Sequence, residues 1–543
     1  MQIHNPIIPG FNPDPSIICV GQDFYLATSS FSYFPGIPIY HSRDLMHWEQ
    51  LSYAFSNPAW LALGPESISA GLFAPTLRYH DGVFYVIVAN MSTFKTLVVT
   101  ATDPAGPWSE PHELHMTFDP DLFWDANGRC YVASSMMGGF GQPIAPGAPR
   151  IGVYELDTET WTLSDQQTGL WTGALYDAIS PEAPHLYYRD GWYYLMIAEG
   201  GTEHFHAVTI ARSRSVLGPY EGCAGNPILT HRHLPQGYPI CAVGHADLVQ
   251  TPAGEWYMVF LASRTYGGYH KNMGRETFIA PVIWENGWPV VSPETGRCEF
   301  TYPAPAGLTP HPFLPPLARD DFEGDTLGLQ WNFLGSPVNP VYRLGESALH
   351  LRAIAAPIRP AQREPAPRGM GMPEPVKPRA LAFVGRRQQH MNFSAATRIR
   401  FVPADSETAG IVLLQNNHAN LRIELAQEDG QTVLRALRYV VDTHAALGHH
   451  GQDITTEETC LASIPWHSDR AVLRIWAVGQ SHQLLAGETE NDLRPLCPPV
   501  DGGFLGSETC GGFVGAFVGM FCSGNGTDSA NEAVFDWFEY SGQ

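Results

Sequence analysis

The sequence predicts an all-β protein in two units, a five-bladed β-propeller followed by a β-sandwich. Three observations lead there. One strand, turn, strand phrase recurs five times in the first half; Pro density peaks across residues 301 to 322; and the second half alternates apolar and polar residues with a period of two.

The phrase reads "DPSIICVGQDFYLAT" from Asp14, "APTLRYHDGVFYVIV" from Ala74, "DPDLFWDANGRCYVAS" from Asp119, "APHLYYRDGWYYLMI" from Ala183 and "HADLVQTPAGEWYMVF" from His245. Each copy carries an aliphatic residue (Ile17, Leu77, Leu122, Leu186, Leu248), a Gly-containing turn and a Tyr in a β-rich run (Tyr25, Tyr85, Tyr131, Tyr194, Tyr257). Gly supplies the positive φ of a tight turn, so each copy is a hairpin. Spacings of roughly 45 to 65 residues match propeller blades and exceed solenoid repeats. Amphipathic helices are absent from this half, and the propeller takes residues 1 to 305.

In a propeller the first strand of each blade lines the central channel, and equivalent positions converge on one face. Three places before the aliphatic residue stand Asp14, Ala74, Asp119, Ala183 and His245, with Glu182 just ahead of Ala183. Glu182 is one residue out of register. A slip of one residue turns a side chain to the opposite face of a strand, so Glu182 requires a bulge to join the others.

Residues 306 to 318 form the predicted linker and 319 to 543 the sandwich. Runs such as "AATRIRFVP", "AGIVLLQN", "NLRIELAQ" and "RAVLRIWAV" supply its short strands. Two Pro-rich stretches, residues 138 to 150 and 356 to 379, read as long surface loops.

At 543 residues, with 44% hydrophobic and 12% aromatic content, the chain can fill large cores. Its formal net charge of -23 disfavours nucleic acid and anionic membranes, which reward clustered Lys and Arg. No apolar run approaches the roughly 20 residues of a membrane span, and the N-terminal "MQIHNPIIPGFNPD" lacks the basic and apolar segments of a secretory signal. Nine scattered Cys without a CxxC pair read as reduced thiols. A cytoplasmic protein with a neutral partner is expected.

Three carboxylates at one channel mouth repel one another, which raises at least one pKa. That suits a reaction needing one protonated and one ionised carboxyl, as glycoside hydrolysis does. Pro13 and Pro15 hold Asp14 in a restricted backbone. Phe31, Phe73 and Trp171 in the connecting segments are candidates to stack on sugar faces, although rings equally fill cores. Arg275 offers a donor fork to hydroxyls, and His245 can orient a catalytic group, bind substrate or ligate a metal. His231, Arg232, His233 and the pair His449 and His450 lack regular metal-ligand spacing and carry no assigned chemistry.

The stretches "NPIIPGFNPDPSI", "IYHSRDLMHWEQL", "GLFAPTLRYHDGVFYV", "FDPDLFWDANGRCYV", "SPEAPHLYYRDGWYYLMIAEGGT", "GHADLV" and "GRETFIAPVIWENGWPVV" together resemble glycoside hydrolase family 43, in its β-xylosidase group with a C-terminal β-sandwich. The resemblance implies an inverting hydrolase in which Asp14 matches the general base, Asp119 the residue that orients the acid and raises its pKa, and Glu182 the general acid. Phe31 matches an aromatic at the sugar face and Arg275 a substrate-contacting Arg. It implies a concanavalin or lectin-like sandwich that lends one loop to the pocket rim, where Phe513 in "GGFVGAFVGM" is the candidate. This chain departs from the group where many relatives read "WAP", having Phe73 before Ala74 and Pro75.

The resulting expectation is an exo-acting β-xylosidase on small xylo-oligosaccharides, with an α-L-arabinofuranosidase as the near alternative and a non-catalytic sugar-binding protein as the remote one. No cofactor is required by this chemistry. Some family members hold calcium in the channel near the His matched by His245, so a calcium there is allowed by the resemblance. Self-association is left open.

Overall fold

The computed structural model describes residues 1–136, 145–175, 177–358, 377–442 and 455–542. Most of the two Pro-rich loops at 138–150 and 356–379, together with His449 and His450, lies outside the described residues.

Each copy of the repeated phrase folds as the two inner strands of one antiparallel blade, of four strands in the first, second and fifth blades and five in the third and fourth. In the first blade the order is Ser16–Val20, Asp23–Ala27, Gly36–Ser42, Glu49–Phe55. The innermost strands of the next four are Leu72–His80, Phe118–Trp124, Glu182–Arg189 and Ile240–Gln250. Each packs on its neighbours in a closed ring. The protein is a five-bladed propeller followed by a two-sheet sandwich. The N-terminal strand Gln2–His4 pairs with Thr301–Pro303, tying the chain start to the exit from the last blade.

The inner strands are not regular. Register shifts fall between Leu72 and Pro75, Phe118 and Asp121, Glu182 and His185, and Gly244 and Ala246. Asp14, Asp119, Ala183 and His245 have φ of 55°, 49°, 52° and 49°, a left-handed conformation uncommon for non-glycine residues. A bulge inserts an extra residue and re-aims the side chains beside it. Here it lets two consecutive residues, Phe73 and Ala74 or Phe118 and Asp119, face the same cavity. Glu182 takes the slot of Phe118 in its own blade, and its offset is resolved.

Residues 304–318 contain no strand, and Arg319–Asp320 pairs with the last strand, Glu532–Gly542, inside the sandwich. One sandwich sheet has nine strands and the other eight. The eighth strand of the latter is contributed by the propeller: Tyr33–Phe34 pairs with Asn332–Gly335. Behind it, Phe11, Phe31, Tyr33, Phe383, Phe517 and Phe521 form a buried core shared by both units. The rings of Tyr33 and Phe517 stack with centroids 3.8 Å apart. The sandwich is therefore built onto the propeller by backbone pairing and a common aromatic core.

Candidate active site

The bulges aim Asp14, Asp119, Glu182 and His245 into one small cavity of about 80 Å³ at the mouth of the channel. Phe31, Phe73, Ala74, Phe118, Thr202, Arg275 and Phe513 complete its wall, and Arg275 Nη1 donates to the Thr202 hydroxyl at 3.2 Å. Trp171 does not reach it. Its ring is buried between the third and fourth blades with Ile151, Leu186 and Leu195, and it lines a separate cavity beside Glu199. The period-two pattern of "TGLW" leaves open which side of the strand Thr168–Trp171 faces the mouth, and packing between blades decides it.

Both oxygens of Asp14 are occupied. Oδ1 accepts from Arg275 Nη1 at 2.8 Å, and Oδ2 accepts from the Ser29 hydroxyl at 2.5 Å. His245 Nδ1 lies 3.6 Å from Oδ1. Burial alone would raise the Asp14 pKa, but the charge of Arg275 and the hydrogen bond from Ser29 outweigh it and hold the carboxyl below its ordinary value. Asp14 is thus ionised. His245 is pushed down to about 3 by burial and stands as a neutral imidazole.

Glu182 shows the opposite response. Burial, then repulsion from Asp14, lift its pKa to about 7 against the opposing pull of Arg275. Asp119 is also raised, by burial first, then by Glu182 and Asp14, while the Ala183 backbone N–H donates to it. Asp119 and Glu182 therefore titrate as a pair that resists double ionisation. A negative charge that lifts Glu182 is that of Asp14, and Asp119 is itself raised beside it.

The aromatic wall is continuous. Phe31 meets Phe73 at 4.8 Å between centroids and stacks on Phe513 at 6.3 Å, while Phe118 abuts Phe73 at 6.0 Å. Phe513, from the sandwich, is 45% exposed and forms the outer rim. Its N–H donates to Ser69 Oγ at 2.9 Å, and its carbonyl accepts from Arg275 Nη2 at 3.1 Å. Sequence reasoning missed Phe118, Thr202 and Ser29. Phe118 precedes Asp119 as Phe73 precedes Ala74, so the repeat carried that signal; Ser29 and Thr202 sit in loops outside the repeat and carried none.

Two to four residues further along the inner strands, a second layer of side chains is bonded across the channel. Arg78 Nη1 reaches Asp247 Oδ2 at 2.9 Å, and Nη2 lies 2.7 Å from Asp121 Oδ1 and 2.9 Å from His185 Nδ1. Ser16 and Tyr187 hydroxyls donate to Asp247 at 2.8 and 2.6 Å. All five blades contribute to this floor, and the pocket opens at one end.

A calcium does not fit the residues near His245. Calcium takes six to eight oxygen ligands, whereas the ionisable groups acting on His245 are one carboxylate, Asp14, which already accepts from Arg275 and Ser29, the imidazoles of His185 and His206, and Arg275. Beneath them the guanidinium of Arg78 is already ion-paired to both Asp121 and Asp247. No group of three or more His, Cys, Asp or Glu among the described residues is arranged to hold a metal.

Comparison with known proteins agrees with this arrangement. Residues 3–289 match the description of glycosyl hydrolases family 43, and residues 319–541 match that of a β-xylosidase C-terminal concanavalin A-like domain. The chain belongs to glycosyl hydrolase family 43. Within that family it is 38% identical to a xylosidase/arabinosidase of Butyrivibrio fibrisolvens, covering 98% of each chain. It is 36% identical to a non-reducing end α-L-arabinofuranosidase of Bacteroides ovatus, over 99% of this chain and 94% of the relative. The crystal structure of a xylan β-1,4-xylosidase from Bacillus halodurans superposes with a TM-score of 0.86 at 31% identity, covering 99% of this chain and 100% of that one.

Proposed function

We propose that this family 43 protein is an inverting exo-glycosidase that releases xylose from the non-reducing ends of β-1,4-xylo-oligosaccharides. The observation that carries the reading is the divergence of two carboxyls in one pocket: Asp14 is held ionised while Glu182 is held protonated up to about pH 7. That is the division of labour glycoside hydrolysis needs.

In this reading Glu182 donates its proton to the glycosidic oxygen as the bond from that oxygen to the anomeric carbon breaks. A water attacks the opposite face of that carbon, and Asp14 takes the water's proton as the new carbon–oxygen bond forms. Arg275 and Ser29 fix the orientation of Asp14, so the base is placed before substrate arrives. In this reading Asp119 orients the acid, with the Ala183 N–H donating to its carboxyl. Exo action is supported by the closed floor around Arg78 and by the Phe513 rim.

A second sugar is favoured by the relatives, one named for both activities and another for α-L-arabinofuranosidase. We include α-L-arabinofuranosides as substrates of the same pocket. Incubation with xylobiose, followed by NMR of the anomeric protons from the first minutes, tests the main reading: α-xylose as the first product supports it, and β-xylose refutes inversion. Parallel rates on aryl β-xyloside and aryl α-L-arabinofuranoside order the two sugars, and turnover of neither refutes the hydrolase reading.

A further inference from the structure

At the seam between propeller and sandwich, the strand Ala380–Arg387 ends in two buried arginines that no carboxylate among the described residues pairs with. Arg386 is 9% exposed and Arg387 6%. Arg387 donates from Nε to the Phe11 carbonyl at 2.6 Å and from Nη1 to Asn332 Oδ1 at 3.0 Å, while its Nη2 has no partner. Arg386 reaches Gln389 Oε1 at a long 3.4 Å, and its Nε has no partner. Their flat faces lie over Tyr540 and Phe517 at 4.6 and 5.4 Å.

The rest of the molecule treats such side chains differently. Arg78, Arg264, Arg275 and Arg422 each meet a carboxylate at 2.7 or 2.8 Å. The acid that acts on Arg386 from a distance is Asp320, whose oxygens are taken by Phe322 N, Gln330 Nε2 and Trp331 Nε1. A desolvated charge without a counter-charge is costly. In a chain of net charge -23, two together are a local exception.

Both arginines line a cavity of about 350 Å³ between the two units, beside the amides of Gln50 and Gln389 and the apolar Ile8 and Leu329. The acidic residue in its wall, Glu49, faces His41 at 3.3 Å and is 42% exposed. Guanidinium forks match the paired oxygens of carboxylate and phosphate, and Gln amides can turn to present donors. The volume lies at the lower end of small-ligand sites.

We propose that this interdomain cavity binds a small oxyanion, a phosphate or carboxylate group, with Arg386 as its principal counter-charge. The site is separate from the carboxylate pocket and stands whatever sugar that pocket takes. It is also connected to it: Arg387 holds the carbonyl of Phe11, three residues before Asp14.

The test is thermal unfolding of the full chain with saturating xylose present to cover Arg275. Inorganic phosphate and a pentose 5-phosphate are each compared with sodium chloride at matched ionic strength. At tenfold excess over Kd, the oxyanion raises Tm by about 1 °C above the chloride control, and Arg386→Gln removes the rise. A larger rise with the pentose phosphate makes the organic body part of the ligand; an equal rise makes the bare anion sufficient. No rise above chloride, or an undiminished rise in Arg386→Gln, overturns the proposal. Should that variant not fold, Gln50→Glu places a negative charge in the cavity wall and must weaken phosphate binding measured by calorimetry. Unchanged affinity there overturns the proposal equally.

Discussion

Arg275 joins the two units at the reacting centre: Nη1 donates to Asp14 Oδ1 at 2.8 Å, and Nη2 donates to the carbonyl of Phe513 at 3.1 Å. One guanidinium therefore holds the proposed base ionised and anchors the sandwich loop that rims the pocket. Arg275→Lys keeps a charge but cannot serve both partners in the planar geometry of the fork. It is expected to lower kcat/KM on xylobiose by about 10²-fold. Arg275→Met is expected to move the acidic limb of the kcat/KM profile upward, because Asp14 loses its main opposing charge while burial still raises its pKa. A pH–rate profile of each variant checks both; an unmoved acidic limb separates Arg275 from the ionisation of Asp14.

The pH dependence of the unmodified enzyme follows from the same two carboxyls. The base must be ionised and Asp14 is depressed, so activity is retained to below the ordinary carboxylate range. The acid must be protonated and Glu182 is raised to about 7, so activity is lost as pH climbs through about 7. Glu182→Gln is expected to cost about 10² to 10⁴ in kcat on xylobiose. The loss should be much smaller on an aryl xyloside whose phenolate leaves without protonation. Equal losses on both substrates would place Glu182 outside the leaving-group step.

Phe513 is expected to contribute binding surface rather than chemistry. Its ring stacks toward Phe31 yet remains half exposed, so a bound sugar would cover it. Phe513→Ala is expected to raise KM on an aryl xyloside about tenfold with kcat nearly unchanged, as loss of roughly 1.4 kcal/mol of apolar burial implies. A fall in kcat at constant KM would assign the ring to the transition state instead.

The channel floor predicts metal-free turnover and a large stability effect. Prolonged EDTA treatment is expected to leave the rate unchanged, and added calcium to leave it unchanged as well, since Arg78 already pairs with both Asp121 and Asp247. Arg78→Met leaves both carboxylates buried and unpaired, which costs about 3 to 5 kcal/mol. Denaturant unfolding of the variant measures it, and calcium-dependent activity of the unmodified protein would refute the metal-free expectation.

The carboxylates were legible because a propeller repeats its phrase blade by blade. Asp14, Asp119 and His245 share one position in that phrase, and closing the ring brings equal positions to one mouth. Glu182 was legible only as an irregularity, since nothing local announces that the backbone bulges at Ala183 with a φ of 52°. Trp171 shows the limit of reading rings from connecting segments: its neighbours along the chain do not reveal that blade packing covers it.

By itself, then, the sequence determined the number of blades, the alternation of the second half and the carboxylates that converge, because hydrophobic period and turn chemistry are local properties repeated along the chain. Tertiary structure alone decided which carboxyl keeps its proton, because burial and the positions of Arg275 and Asp14 set those pKa values across blades distant in sequence. It also decided that the sandwich is continuous with the propeller through Tyr33–Phe34 and Asn332–Gly335, a pairing between strands about 300 residues apart that no local pattern specifies.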